Sequence, residues 1–97
     1  MNITDIKVRR IMEGAGKLRG IVSITLDGVL AVHDIKVVQG EERLFVAMPS
    51  RRDEHGMYRD IVHPISPDSR LQIEETILSA YRTERDRRIA EEQSSDI

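Results

Sequence analysis

The dipeptide Asp27-Gly28 is the feature of this sequence that most constrains its fold. Glycine supplies the positive φ that a two-residue type I′ turn requires, and Asp-Gly between alternating apolar residues is a strong signal for a β-hairpin. Apolar and polar residues alternate over much of 18–26 before the dipeptide and of 29–37 after it. The sequence therefore predicts two antiparallel strands joined at this turn.

The turn also predicts a register for the two strands. On the apolar side of the hairpin, the facing pairs are Leu26 with Val29, Ile24 with Ala31, and Val22 with His33. The second of these strands continues on that side with Ile35 and Val37, so His33 falls among apolar neighbours. We interpret His33 as a core histidine with a satisfied hydrogen bond rather than as a metal ligand.

Three further segments have strand character. Residues 2–12 alternate in their middle, 43–48 form a short apolar run that Pro49 ends, and 57–65 form an extended segment that Pro64 closes. With the central hairpin, these segments predict an antiparallel β-meander of about five strands.

Ser66-Pro67-Asp68 predicts the start of a helix, with Ser as N-cap, Pro at the first helical position and an acid in the first turn. Apolar residues then recur at helical spacing: Ile73, Ile77, Ala80 and Tyr81, widened by Leu71 and Leu78. Residues 82–88 are charged and predict either an exposed helix with short-range ion pairs or a frayed end. The predicted fold class is α+β, an antiparallel β-meander of about five strands followed by a long C-terminal α-helix.

Length and charge predict a single domain over residues 1–90 and an acidic tail over 91–97 that we expect to be disordered. The net charge is −2, but Glu91, Glu92 and Asp96 lie in that tail, which has no Lys or Arg. Without these three, the 17 acidic residues fall to 14 against 15 basic ones. The body of the chain is therefore almost neutral, and any basic surface must be local.

Several classes of protein are disfavoured by the composition. Cysteine is absent, which excludes a disulfide framework and thiolate chemistry. No apolar run approaches the ~20 residues of a membrane span, and the first residues lack the shape of a signal peptide. We expect a cytoplasmic protein without a membrane span.

Neither a metal site nor an acid–base pair is recognisable. The three histidines, His33, His55 and His63, include no pair at the i, i+4 spacing of a helical metal site. The carboxylates Asp34, Asp53 and Asp60 do not assemble into an acid–base pair, and a surface ion pair is the simpler interpretation of Asp60, which follows Arg59. We expect no metal, no cofactor, no small-molecule substrate and no catalytic residue, so the chain is not predicted to be an enzyme.

Arg51 and Arg52 directly follow the strand that Pro49 ends, and they form the candidate site. If the chain folds back after them, Arg59 lies nearby, and Tyr58 can stack on a base. Guanidinium groups bind phosphate oxygens in bidentate fashion, so these four side chains predict nucleic-acid binding.

Residues 53 and 54 leave an alternative open for this loop. Asp53 and Glu54 follow the arginine pair directly. In the alternative interpretation, Arg51 and Arg52 pair with these two acids, and the segment is a solvated charged loop without a ligand.

A second copy of the chain is an expected partner. A meander has two edge strands, which natural proteins cover or pair, and a chain of this length buries only roughly 60–65% of its unfolded surface. Edge-to-edge pairing of two copies enlarges the core and removes an edge. We therefore expect a homodimer formed through strand pairing.

Four runs of this sequence resemble the stage V sporulation protein G (SpoVG) family. They are residues 21–27 (IVSITLD), 32–38 (VHDIKVV), 44–52 (LFVAMPSRR) and 58–65 (YRDIVHPI), and the resemblance extends over about residues 1–82. It implies a small bacterial cytoplasmic protein, dimeric through its strands, linked to control of division septum formation and, in spore formers, to sporulation.

The resemblance also implies a molecular role. Members of the family are described as site-preferring DNA and RNA binders that modulate gene expression, with contacts that map onto Arg51 and Arg52. It implicates the helix in sequence preference, for which Arg70, Arg82 and Arg85 are the candidates. The alternative function is a protein-interaction adaptor of the division machinery that does not itself bind nucleic acid, which the near-neutral body favours.

Overall fold

The computed structural model describes residues 2–94. Its elements, in chain order, are β1 (Ile3–Ile11), β2 (Leu18–Leu26), β3 (Leu30–Gln39), β4 (Leu44–Ala47), β5 (Ser50–Arg52), β6 (Tyr58–Asp60) and α1 (Pro67–Ser94). Strands β1 to β4 form an antiparallel sheet in chain order, and β5 and β6 form a separate two-stranded ribbon. The predicted α+β fold class is confirmed.

The fifth strand of the predicted meander differs from the expectation. Of the segment 57–65, only Tyr58–Asp60 is a strand, and it pairs with β5 instead of extending the main sheet. Pro49 lies between β4 and β5 and has no N–H to donate, so the ladder of the main sheet stops there. Its carbonyl oxygen accepts a hydrogen bond from the Ile61 N–H at 2.8 Å, which closes the base of the ribbon.

The turn at Asp27-Gly28 forms as predicted. Both residues have positive φ, 51° and 69°, and the Val29 N–H donates to the Leu26 carbonyl at 3.0 Å. The start of the chain holds this turn in place, because the Asn2 N–H donates to the Asp27 carboxylate at 2.9 Å.

The predicted register beyond the turn is wrong. Strand pairing moves by one residue, so that Leu26 pairs with Leu30 and Ile24 pairs with Val32. A one-residue shift exchanges the two faces of a strand. Val29, Ala31 and His33 are accordingly exposed, whereas Val32 is buried.

A β-bulge restores the apolar side of β3 after this point. Val22 pairs with Ile35, so Ser23 of β2 lies opposite both His33 and Asp34. Asp34 has a φ of 60°, a left-handed conformation that Asp tolerates better than most residues. His33 is therefore not the core histidine that the regular alternation predicts; it lies on the outer face of the sheet, where its Nδ1 is 2.9 Å from Ser23 Oγ.

Two further bulges shape β1. The register shifts between Ile3 and Asp5 and again between Val8 and Arg10. As a result, four apolar residues of β1 pack against the core although they are spaced irregularly: Ile3, Ile6, Val8 and Ile11. The polar residues between them lie on the opposite face.

Helix α1 lies across the inner face of the sheet. Its N-cap forms as predicted, with the Ser69 N–H donating to Ser66 Oγ at 3.1 Å. Ile77, Leu78 and Tyr81 are buried in the core, but Leu71 is 56% exposed and does not widen the packed face as predicted. Burying each such apolar side chain contributes roughly 1.5–3 kcal/mol to stability.

The charged second half of α1 is helical and contains ion pairs. Arg87 and Arg88 both bond to Glu84 within one helical turn, which corresponds to the first of the two predicted alternatives. The two arginines lower the pKa of the Glu84 carboxyl to about 2. The helix continues to Ser94, past the predicted boundary at residue 91, and residues 95–97 of the predicted tail lie outside the described residues.

Glu74 joins α1 to the edge of the sheet and was not singled out from the sequence. Its side chain is only 9% exposed. One carboxylate oxygen accepts from Arg43 at 2.7 Å, and the other accepts from the Val46 N–H of β4 at 3.4 Å. A carboxylate on the otherwise apolar face thus satisfies a backbone donor of β4.

Replacing Glu74 should destabilise the protein measurably. Glu74→Ala removes the acceptor for Val46 and leaves that buried N–H unpaired, so we expect the free energy of unfolding to fall by about 1–3 kcal/mol in urea denaturation. Glu75→Ala is the matched control, because Glu75 is exposed on the same helix, and its effect should stay within about 0.5 kcal/mol. Equal losses in the two variants would show that Glu74 has no anchoring role.

Candidate functional site

The β5–β6 ribbon brings the predicted site residues together. Arg51 pairs with Arg59 across the ribbon, and Arg52 pairs with Tyr58. Directly opposite residues of two strands share a face, so Arg51 and Arg59 lie on one side and Arg52 and Tyr58 on the other. All six strand residues of the ribbon are exposed, which shows that neither side is packed against the body of the protein.

Asp53 organises the loop that joins the two strands. One of its carboxylate oxygens accepts hydrogen bonds from the N–H groups of His55 and Met57 at 2.9 and 3.0 Å. The other accepts from Arg59 Nε at 2.8 Å. The Asp53 N–H donates to the Met57 carbonyl at 2.8 Å, and Gly56 supplies the positive φ of 79° that the turn requires.

This arrangement lowers the pKa of the Asp53 carboxyl below its ordinary value of 3.8. The Arg59 guanidinium is the largest cause, and the Met57 and His55 N–H groups add to it. All three interactions favour the ionised carboxylate, so the loop is held by a charge that persists throughout the neutral pH range.

Arg51 and Arg52 do not form the ion pairs of the alternative interpretation. Asp53 bonds to Arg59 instead, and among residues 2–94 neither Arg51 nor Arg52 has a carboxylate oxygen within 4.0 Å. The Arg52 guanidinium lies beside Gly56, where an added Cβ would come within 3.3 Å of it. The pair is therefore exposed and without a counter-charge, which is the state required to bind an anion.

Arg59 and Tyr58 have different environments. Arg59 is paired with Asp53, yet its side chain is 76% exposed, so its remaining N–H groups can reach a ligand. Tyr58 is 73% exposed and has an accessible ring. A base can stack on such a ring without sequence preference.

The helix arginines are not gathered at the ribbon. Arg70 lies at the β4 side, where its guanidinium is 3.5 Å from the Val46 carbonyl oxygen. Arg85 lies 5.7 Å from the centre of the Tyr81 ring and bonds to Asp86. Fifteen residues of helix separate Arg70 from Arg85, about 22 Å at 1.5 Å per residue. Arg82 is exposed on the same distant half of α1.

The structure offers few other features of a chemical site. Within the described residues, no group of three or more His, Cys, Asp or Glu side chains is placed to hold a metal ion. His63 Nδ1 contacts the Pro64 carbonyl oxygen at 3.0 Å, and His55 lies exposed in the ribbon loop. No helix between residues 2 and 94 has a stretch long and apolar enough to cross a membrane.

The sequence analysis singled out the arginines but missed the role of Asp53, which holds the loop and bonds to Arg59. The segment 53–56 was interpreted as a loop, in which Asp53 and Glu54 were only alternative partners of the arginine pair. Asp followed three residues later by Gly is typical of a turn in which the Asp side chain accepts backbone hydrogen bonds. That local signal was sufficient to identify Asp53 as the organiser.

Comparison with known proteins gives consistent matches. The family model described as SpoVG matches residues 1–83. Proteins named "Putative septation protein SpoVG" from Desulforudis audaxviator and Heliobacterium modesticaldum are 51% and 54% identical to the chain, covering 84% of it and 91% of each relative. A Listeria monocytogenes protein, named as SpoVG 1, is 47% identical over 99% of the chain and 93% of its own length.

Removing the Asp53 carboxylate should loosen the ribbon without unfolding the domain. We expect Asp53→Ala to accelerate amide hydrogen exchange at His55 and Met57 by roughly fivefold or more, because the carboxylate oxygen that accepts from both N–H groups is removed. Asp60→Ala is the control, since Asp60 is an exposed ribbon residue for which the structure shows no side-chain bond. Equal exchange in both variants would contradict the assignment.

The same interaction predicts a direction for the pH dependence. Because the pKa of Asp53 is lowered in the folded protein, its stabilising contribution is complete above about 3.8, the ordinary value. It is lost as the pH falls below that value through the folded-state pKa. Exchange at Met57 should therefore show an added acceleration in acid that Asp53→Ala lacks, after correction for the intrinsic exchange rate.

Proposed function

The chain belongs to the SpoVG family, and on this basis we propose that it is a non-enzymatic bacterial regulator of cell-division septum formation, and of sporulation where that occurs. In this proposal it acts in the cytoplasm as a dimeric DNA- and RNA-binding protein that modulates gene expression. Arg51 and Arg52 bind phosphates or guanine edges, while Arg59 and Tyr58 assist. Arg70, Arg82 and Arg85 of α1 contribute to sequence preference.

One observation supports this proposal more than any other. The β5–β6 ribbon is exposed on both faces and carries guanidinium groups on both, with Arg51 and Arg59 on one side and Arg52 on the other. The major groove of B-form DNA admits a two-stranded β-ribbon, and phosphates line both walls of that groove. Binding that relies on phosphates is strong at low salt and only weakly selective for sequence.

Dimerisation would double this cationic surface. The edge strands of the main sheet are β1 and β4, and α1 packs against one face of the sheet. Apolar side chains outside the core remain exposed, among them Ile61 at 66% and Ile65 at 92%. A second copy that pairs with an edge strand would cover part of this surface and bring a second arginine pair onto the particle.

A protein-interaction adaptor is the second candidate function. The same exposed apolar residues, together with Leu71, favour a surface that binds a protein partner over one that binds nothing. The absorbance ratio at 260 over 280 nm of purified protein discriminates between the two functions. A high ratio indicates bound nucleic acid, because the chain has no Trp and only two Tyr.

Replacing the arginine pair should abolish most nucleic-acid binding. For a dimer that neutralises about four phosphates of a duplex, log K should fall with log salt at a slope near −3.6, a loss of roughly 100-fold between 50 and 200 mM. Arg51→Ala combined with Arg52→Ala should make the slope less steep by about 3.6, the contribution of those four phosphates, and leave the thermal unfolding midpoint unchanged. Fluorescence anisotropy measures this slope with a duplex probe of ~20 base pairs, which is long enough to span both copies.

The control removes the same number of charges elsewhere. Lys17→Ala combined with Arg87→Ala affects a turn residue and a helix residue already paired with Glu84 and Glu91. This variant should keep the parent slope. If both double variants bind like the parent protein, the arginine pair is not the binding site.

The oligomeric state is a separate prediction. Size-exclusion chromatography with light scattering at micromolar concentration should give twice the 11.1 kDa mass of one chain. Because strand pairing and apolar contacts are insensitive to screening, that mass should persist at 1 M salt, where the Debye length is only about 3 Å. A mass of one chain at low and high salt would contradict the dimer.

A further inference from the structure

The cations of this protein divide into two groups by their partners. Within residues 2–94, the basic side chains with a carboxylate partner include Arg85, Arg87 and Arg88 of α1, together with Arg43 and Arg59. The basic side chains of β1 and β3 have none. They are Lys7, Arg9, Arg10 and Lys36, and all four are exposed. Apart from Lys17, Arg19, Arg70 and Arg82, the unpaired cations of residues 2–94 therefore lie on these two strands and on the ribbon.

These four residues share the outer face of the sheet, the face opposite α1. Lys36 lies between Ile35 and Val37, which both point into the core, so its side chain points away from α1. In β1, the bulge between Val8 and Arg10 places two consecutive arginines between the inward-facing Val8 and Ile11. The bulge thus doubles the charge that one strand contributes to this face.

Strand register places two of these cations, Arg10 and Lys36, in one row across the sheet. Arg10 pairs with Ile21, Ile21 with Lys36, and Lys36 with Ala47. Two strand spacings separate Arg10 from Lys36, about 10 Å. The residues between and beside them in the row are apolar, so no carboxylate in that row competes for the two charges.

A hydrogen-bonded chain holds one of the arginines. Arg9 Nε donates to Ser23 Oγ at 3.3 Å, and Ser23 Oγ lies 2.9 Å from His33 Nδ1. Ser23 is only 7% exposed, so this anchor is part of the sheet surface itself. Arg9 is exposed, so its terminal N–H groups can bind a ligand, with less side-chain entropy to lose on binding.

The acids of this face do not cancel its charge. Asp5 lines the same shallow depression as Lys7, Arg9 and His33. Asp34 is exposed at the bulge of β3. Against these two carboxylates, the face carries four cations, and none of them lies within ion-pair distance of either acid.

We propose that this outer face, defined by Lys7, Arg9, Arg10 and Lys36, is a second phosphate-binding surface that continues the ribbon site along the same nucleic acid. The proposal rests on the proposed function of the ribbon. The row ends at Ala47, the last residue of β4, and Arg51 follows four residues later, within about 13 Å of chain. The combined track from Arg10 to Arg51 is at most roughly 28 Å, about eight base pairs at 3.4 Å each.

The test removes charge from the row alone. Arg10→Ala combined with Lys36→Ala should make the salt slope for a 20-base-pair duplex less steep by at least about 1.8, since every phosphate that is no longer neutralised reduces the slope by ~0.9. A single-stranded RNA probe of equal length should show a change of at least about 1.4, at ~0.7 for each phosphate. Fluorescence anisotropy between 50 and 300 mM salt measures both.

A charge-preserving variant separates charge from folding. Arg10→Lys combined with Lys36→Arg should keep the parent slope, and circular dichroism should show that all variants are folded. If the alanine variant and the charge-preserving variant lose affinity equally, the face acts through its structure and the proposal is overturned.

The ribbon variant distinguishes failure of this proposal from failure of the proposed function. A slope that responds to Arg51→Ala with Arg52→Ala, but not to the row variant, overturns the second surface and leaves the ribbon site intact. A slope that responds to the row variant alone supports the second surface and contradicts the ribbon assignment. A slope that responds to neither variant overturns both.

Discussion

Helix α1 covers one face of the four-stranded sheet, and among residues 2–94 there is no second helix to cover the other. The fully buried side chains, Val22, Ile35, Val37 and Ile77, all belong to the single layer between helix and sheet. Everything outside that layer must be compatible with water or with a partner. The polar outer face of the sheet and the projecting ribbon are both consequences of a core that has only one layer.

The bulges reconcile this single core with the sequence. Three of them occur where two polar residues lie between two inward-facing apolar ones: Ile3-Thr4-Asp5-Ile6, Val8-Arg9-Arg10-Ile11 and Val32-His33-Asp34-Ile35. A regular strand would turn one apolar residue of each group to solvent. One extra residue keeps both inside and places two adjacent polar side chains outside. The shape of the core and the charge of the outer face therefore have the same cause.

This pattern also explains how far the fold could be predicted. The Asp27-Gly28 turn, the limits of β2 and the N-cap at Ser66 follow from local chemistry, and all three were predicted correctly. The register of β3 was wrong because it assumed that Asp27 and Gly28 alone join the strands, whereas residues 27–29 form the connection and Leu26 pairs with Leu30. The paired polar residues His33-Asp34 signalled the bulge that follows. Leu71 was assigned to the packed face from its spacing, but it is 56% exposed, and only the tertiary structure reveals this. At the candidate site, the sequence analysis placed Arg59 near Arg51 and Arg52 if the chain folds back, but it assigned this segment to the meander rather than to a separate ribbon. The pairing of Asp53 with Arg59 depends on the geometry of the loop.

Net charge is a poor guide to the surface of this protein because the acids are not distributed like the bases. Glu84 accepts from two arginines within α1, and its lowered pKa of about 2 keeps it ionised for that role. Glu74 and Asp53 neutralise Arg43 and Arg59 in the same way. These acids neutralise cations that form ion pairs within the fold, so the total charge of −2 conceals unpaired cations elsewhere. The cations without a carboxylate partner in residues 2–94 include the arginine pair of the ribbon and the row across the outer face, both on surfaces that the single-layer core cannot bury.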